Sequence, residues 1–308
     1  MTTLLKRNAN RIKPPMCDRI FYACLTVLVL LLMVLFIYPL YFVLVASFSG
    51  PEYVSTGALL WYPKGFTLTG YEHIIQNARI WVGYRNTILY VCIGTLVAVM
   101  ITVMAAFSLS RKDMPGRNGI MMIYVFTMYF SGGLIPTYLM VKELGLINQP
   151  AVIVILSAFS VYNMIIAKTY FTNAIPMELQ EAAYVDGCTT QRLFFSIILP
   201  LAKPIVAVLA LYNAVGHWNS YFSAMIYLQN EKYYPLQLIL RQILLQGSAL
   251  NRTMQTVRSA SGGMENLESL NTLTKYCAIV VSTLPIIAVY PFLQKYFIKG
   301  VMIGAVKG

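Results

Sequence analysis

Charge is scarce in this 308-residue chain, and acid is scarcest: 11 Asp and Glu stand against 23 Lys and Arg. Charged residues make 11% of the chain, where a water-soluble domain carries about a quarter. The chain therefore lacks the polar surface to cover itself in water. Cys17, Cys24, Cys92, Cys188 and Cys277 show neither CxxC nor ligand spacing, and the two histidines, His73 and His217, stand far apart. Neither a disulfide framework nor a metal site is expected from them. No GxxxxGK[ST] loop is present to cradle nucleotide phosphates. All eleven acidic residues, from Asp18 to Glu268, fall outside the long apolar blocks. A proton-driven carrier usually keeps an ionisable carboxylate inside the membrane as its coupling element. Uphill transport by this chain would thus draw its energy from another subunit. A membrane enzyme is equally ill served, because no cluster of nucleophile, base or metal ligands stands out. His217 is the lone candidate, and a helix-packing hydrogen bond is its simpler role.

What is abundant is apolar: 58% of the residues are hydrophobic, gathered into blocks at 20–46, 87–109, 119–141, 151–171, 205–227 and 276–293. Each is near the ~20 residues a helix needs to cross a bilayer. The first is too long for the core of a cleaved signal peptide. The pattern predicts an all-α polytopic membrane protein with six transmembrane helices. A basic arm, 1–19, precedes a membrane domain, 20–298, and a tail, 299–308, follows. Lys6, Arg7, Arg11, Lys13 and Arg19 sit on the arm. Arg111, Lys112, Arg117, Lys168, Arg192, Lys203, Lys295, Lys299 and Lys307 fall on alternate connections and the tail. These form the majority of the 23 basic residues, which predicts both termini in the cytoplasm. The same clustering at block ends accounts for the net charge of +12 without nucleic acid. The external connections would then be 47–86, with Trp61, Tyr62 and Trp81 at headgroup level, and 228–275. Within the latter, 234–245 is expected to lie as an amphipathic helix on the outer surface, and 261–263 to form a mobile loop.

The most specific signal lies in the cytoplasmic connection, 172–204. Pro176 suits a first helical turn, and Gly187 suits a left-handed stop. Between them about ten good helix formers make a helix ~15 Å long. Leu179, Ala182, Ala183 and Asp186 share one low face, while Glu178, Glu181 and Val185 share another. A second short helix is predicted to start with Thr190 as its cap.

Glu181-Ala182-Ala183, three residues, Gly187, nine residues, then Ile197 and Leu199-Pro200 resembles the EAA loop of ABC importer permeases. Ser131 to Pro136, Trp218-Asn219, Tyr290-Pro291-Phe292 and Lys299 to Gly304 extend the resemblance over most of the chain. They are similar to carbohydrate importer permeases of the maltose transporter class, and most to the branch handling complex oligosaccharides, which includes the lipoprotein-named permeases of Gram-positive bacteria. Ser220 departs from many of those relatives, which carry an acidic residue there.

The resemblance implies a type I ABC importer permease fold in a bacterial cytoplasmic membrane, with a cytoplasmic coupling helix. Glu181, Ala182, Ala183 and Gly187 would dock on the ATPase, with Asp186 and Pro200 supporting the turn and exit. It also implies a heterodimer with a second permease, two ATPase domains that bind ATP and Mg, and an external solute-binding protein delivering an oligosaccharide. This chain would carry no cofactor and no catalytic residue. Permeation of another solute, such as a peptide, or a membrane sensor or enzyme, are the alternatives.

A sugar path needs hydrogen-bonding groups and flat apolar faces among greasy helices. The fifth block offers Tyr212, Asn213, His217, Trp218, Asn219 and Tyr221. The third offers Tyr129, Ser131 and Tyr138, and the fourth Tyr162 and Asn163. Asn213, Trp218, Asn219, Tyr221 and Tyr129 are the preferred path residues, against interfacial belts and interhelical bonding as the plainer roles. Pro285 and Pro291 should bend the last span.

Overall fold

The computed structural model describes residues 15–55, 61–245 and 270–288. Most of the basic arm, the 261–263 segment, Pro291 and the tail lie outside them. Among the described residues every regular element is helical.

Helix α1 (Met16–Ser47) buries only Val45, Ala46 and Ser47. An apolar rod with so little of its own chain against it is at home in lipid or against another membrane subunit. Its end is pinned: the Tyr71 hydroxyl donates to Ser47 Oγ at 2.8 Å, and Cys277 Sγ donates to the Ser47 carbonyl at 3.3 Å. Two short helices, α2 (Pro51–Ser55) and α3 (Thr69–Gln76), lead to α4 (Ala78–Ser110). The Asn77 side chain caps α4 by accepting from the Arg79 N–H. At 33 residues α4 is about 50 Å long and overshoots a hydrocarbon core of ~30 Å. It is the spine of the molecule.

The next three apolar blocks are each broken. Helices α5 (Arg117–Tyr129) and α6 (Leu134–Glu143) meet at 111°, where Gly133 takes φ +84°. Helices α7 (Ala151–Leu156) and α8 (Val161–Ala174) are separated at Ser157, which bonds back to the Ile153 carbonyl, and at Ser160, which caps α8. After α9 (Met177–Val185), α10 (Thr190–Arg192), a π-helical stretch Leu193–Ile198 and α11 (Leu199–Leu201) run on together. That rod meets α12 (Lys203–Trp218) at 80°. Pro204 enforces the break, because its ring clashes with the carbonyl four residues earlier. Asn219 to Tyr221 then separate α12 from α13 (Phe222–Tyr227). A 3-10 turn Glu231–Tyr233, α14 (Leu236–Leu245) and α15 (Leu270–Ala288) complete the described chain.

The expected six spans are thus realised unevenly. Three helices, α1, α4 and α15, are single rods long and apolar enough to cross a membrane, and two bent pairs raise the number to five. The block at 151–171 forms the short pair α7 and α8, and the sixth span is already helical at Leu270, ahead of the expected 276.

Helix α14 departs from expectation. Leu236, Leu238, Ile239 and Leu240 are all buried, so it is a core helix wedged between two apolar clusters and not a surface helix. Asn86 and Thr87 of α4 hold its approach: the Asn86 amide donates to the Lys232 and Tyr234 carbonyls, and Thr87 accepts from the Leu236 N–H. The opposite half of α4 carries the largest cluster, Val99 to Leu109 packed with α8, Ala183, Leu193, Phe194, Ile198 and Leu209.

Candidate functional site

Helix α9 ends as its residues dictate. Gly187 sits at φ +72°, its N–H bonds to the Tyr184 carbonyl, and the Cys188 N–H bonds to the Ala183 carbonyl. This crossed pair is the Schellman termination, which needs a residue without a Cβ penalty at the left-handed position. The following turn is capped by the Thr189 side chain accepting from the Arg192 N–H, one residue ahead of the expected Thr190.

One side of α9 is seated on the large cluster: Ala183 is buried and Leu179 packs against it. The other side is bare. Glu178, Glu181, Ala182 and Val185 are exposed, Val185 at 88%. Their spacing of three, four and seven puts them on one continuous stripe. Tyr184 ties the helix to the end of α4. Arg111 donates to the Tyr184 hydroxyl and stacks over its ring at 5.3 Å, while that hydroxyl lies 3.2 Å from Thr190 Oγ1. Arg111 also donates from Nε and Nη2 to the two carboxylate oxygens of Asp113, which holds the Asp113 carboxyl below the usual carboxylate range. Helix α9 is thus tied to the end of α4 through Arg111 and to the start of the next rod through Thr190, and its seated side belongs to the cluster that α4 and α8 share.

A cavity of roughly 820 Å³ opens between α12, α8 and α15. Tyr162, Asn163, Tyr212, Trp218 and Asn219 supply its rings and polar groups, and Val91, Leu211, Pro285 and Ile286 its apolar wall. Across α12 lies a smaller, polar pocket of about 150 Å³ with Ser157, Asn213, His217, Ser220 and Ser223. Both pockets reach Tyr212 and Gly216. Rings with a polar handle suit the two-faced surface of a pyranose. Among the described residues no group of three or more His, Cys, Asp or Glu is placed to hold a metal ion.

Residues 80–303 match the family described as binding-protein-dependent transport system inner membrane component. The chain belongs to this family. It is a permease, the non-enzymatic transport subunit of an ABC importer. It is 37% identical over 95% of its length to the whole of the polygalacturonan/rhamnogalacturonan transport system permease protein YtcP of Bacillus subtilis (strain 168). It is 36% identical to Protein LplC of the same organism, over 88% of this chain and 90% of that one. Among solved structures it is similar to a bacterial ABC transporter involved in the import of the acidic polysaccharide alginate. That match has a TM-score of 0.82 and 30% identity, and it covers 92% of this chain and 99% of the other.

The permease sorts its sequence-predicted site residues unequally. Glu181, Ala182, Asp186 and Gly187 are exposed on α9 or its end, and Pro200 is exposed in α11. Ala183 differs from them: it is buried in the permease's own large cluster and is not on the bare side of α9. In the cavity region Asn219 is exposed and lines the large cavity, and Asn213 lines the small pocket. Their amides donate to the Val215 and Leu209 carbonyls respectively. Trp218 shows only its edge there. It is 8% exposed, donates to the Ser282 carbonyl at 3.2 Å and packs edge-on to Tyr84. Tyr221 is half exposed beyond Asn219, and Tyr129 is exposed at the end of α5 and lines neither pocket. Arg241, over the Tyr221 ring, escaped the sequence reading because it belongs to α14, far along the chain.

Proposed function

We propose that this permease pairs with a second permease to form the path for an oligosaccharide delivered by an external solute-binding protein. Two ATPase domains, which hold the ATP and Mg, drive it through α9. The bare stripe of Glu178, Glu181, Ala182 and Val185, on a helix otherwise seated in the permease's core, carries the reading. Such a stripe meets a partner without disturbing its own domain, and the seated side conveys the movement. Both termini and α9 lie in the cytoplasm, as the distribution of Lys and Arg supports. Closure of the ATPases draws paired coupling helices together and opens the bundle outward; hydrolysis resets it. The aromatic and amide groups of the large cavity favour a sugar over a peptide, and the names of the 37%-identical relative and of the alginate importer point the same way.

The test is affinity purification from the native membrane with partners identified by mass spectrometry. A second permease and an ATPase should be recovered, and the ATPase should be lost with Glu181→Lys while the second permease is retained. Recovery of the chain alone would overturn the proposal.

A further inference from the structure

The break between α5 and α6 stands where a membrane span can least bear one. At 13 residues α5 rises at most about 20 Å above Arg117, so its end lies inside a hydrocarbon core of ~30 Å. Among the described residues Ser131 and Gly132 make no backbone hydrogen bond, and no side chain caps the start of α6. Every residue from Val125 to Pro136 is exposed. Lipid offers such backbone no hydrogen bond, so a break at this depth lies against protein or a water-filled space. The side chains decide between the two. Tyr129 and Ile135 are each 73% exposed and Phe130 66%, and the Phe126 and Phe130 rings stack at 4.5 Å. Water would wet this apolar surface at a cost of ~25 cal/mol per Å², whereas aromatic rings beside polar backbone are the make-up of a protein interface. The chain's own bundle lies elsewhere. Ile120, Met121 and Tyr124, on the opposite side of α5, join the large cluster. Helix α15 packs instead on α4 and α12, through Tyr84 donating to the Val281 carbonyl and Trp218 to that of Ser282.

We infer that this elbow, Tyr129 to Ile135, is the seat of the second permease, which covers its rings and meets its bare backbone in mid-bilayer. This rests on the pairing proposed above and adds where the pair is joined. ATPases and an external binding protein stay outside the hydrocarbon core, so a partner at this depth is itself a membrane protein. The matching surface is an apolar helix with a serine, threonine or asparagine level with the break, to bond Ser131 and Gly132.

The test places the photoreactive residue benzoylphenylalanine at Phe130, and in a second variant at Ile135, in the intact importer in its native membrane. Irradiation should join this chain to the second permease from both positions, with the adducts mapped by mass spectrometry. Adducts formed with lipid alone or within this chain alone would overturn the inference and leave the pairing standing. So would the absence of any adduct, which would assign the elbow to open water. In a separate arm, Phe130→Asp should lower the second permease recovered with this chain by about tenfold or more, the scale of one ring at an interface centre. The ATPase should still be recovered in that arm, which reports a folded α9. Undiminished recovery of the second permease would also overturn the inference. If the unaltered chain brings down no second permease, the pairing itself falls, and this inference with it.

Discussion

Gly94 of α4 lies flat against the imidazole of His217: a Cβ built on it would come within 2.3 Å of both Cε1 and Nε2. His217 is itself only 4% exposed, and the small pocket it lines is the space beside it into which its ring could shift. This close approach lets α12 lie along α4 beside the large cavity. Gly94→Ala gains up to ~1 kcal/mol of helix propensity but overpacks a tight site at about 1–3 kcal/mol. It should lower the midpoint of thermal unfolding in detergent. His217→Ala combined with it should restore part of the loss, whereas a harmless Gly94→Ala alone would refute the tight contact.

Gly187 makes a cleaner case, because nothing lies within 4 Å of where its Cβ would stand. Any loss on substitution there reports the backbone at φ +72°. Left-handed geometry costs an ordinary residue roughly 1–2 kcal/mol, and asparagine less. Sugar-stimulated ATP hydrolysis should therefore fall in the order Asn, Ala, Val at this position. Equal activity for all three would show that the Schellman end of α9 does not matter to coupling.

Tyr184 links α9 to Arg111 in two ways, by its hydroxyl and by its ring. Tyr184→Phe should keep the ring contact and weaken coupling slightly, within about 1 kcal/mol. Tyr184→Ala should uncouple ATP hydrolysis from sugar more strongly while the ATPase stays bound. If the two variants behave alike, the ring is not part of the linkage.

Asp113 provides a pH signature of the same corner. Arg111 depresses its folded pKa, so the pair contributes stability above the unfolded value of ~4 and loses it as pH falls through the lower folded value. The carboxylate is exposed, so solvent screens the effect and keeps it small. The stability difference between the unaltered permease and Asp113→Asn should be flat from pH 8 to 5 and shrink below about pH 4. A difference that changes across neutral pH would point to another titrating group.

Trp218 and Asn219 are neighbours with different tasks. Trp218→Ala should destabilise by about 3–5 kcal/mol, because a buried aromatic and its bond to Ser282 are lost. Asn219→Ala should leave the unfolding midpoint nearly unchanged and raise the KM for sugar. The reverse pattern would move the path away from the large cavity.

The chain's own residues were enough to define its apolar blocks, the start and stop of α9 at Pro176 and Gly187, and a loop pattern that named the family. Each rests on local chemistry: length against bilayer thickness, a proline without an N–H, a glycine free to turn left-handed. Facing directions needed the tertiary structure. In lipid the surroundings are as apolar as a protein core, so a membrane helix carries little periodic signal for its inward side. That is why Trp218 read as a path residue though most of it is packed away, and why α14 read as a surface helix though it is wedged in the core. The burial of Ala183 was illegible for a related reason: alanine fits a partner's groove and its own core equally well, and only its place in the large cluster shows which side it turns to. The meeting of Arg241 with Tyr221 joins a residue of α14 to one in the break between α12 and α13, and no local pattern encodes such a contact.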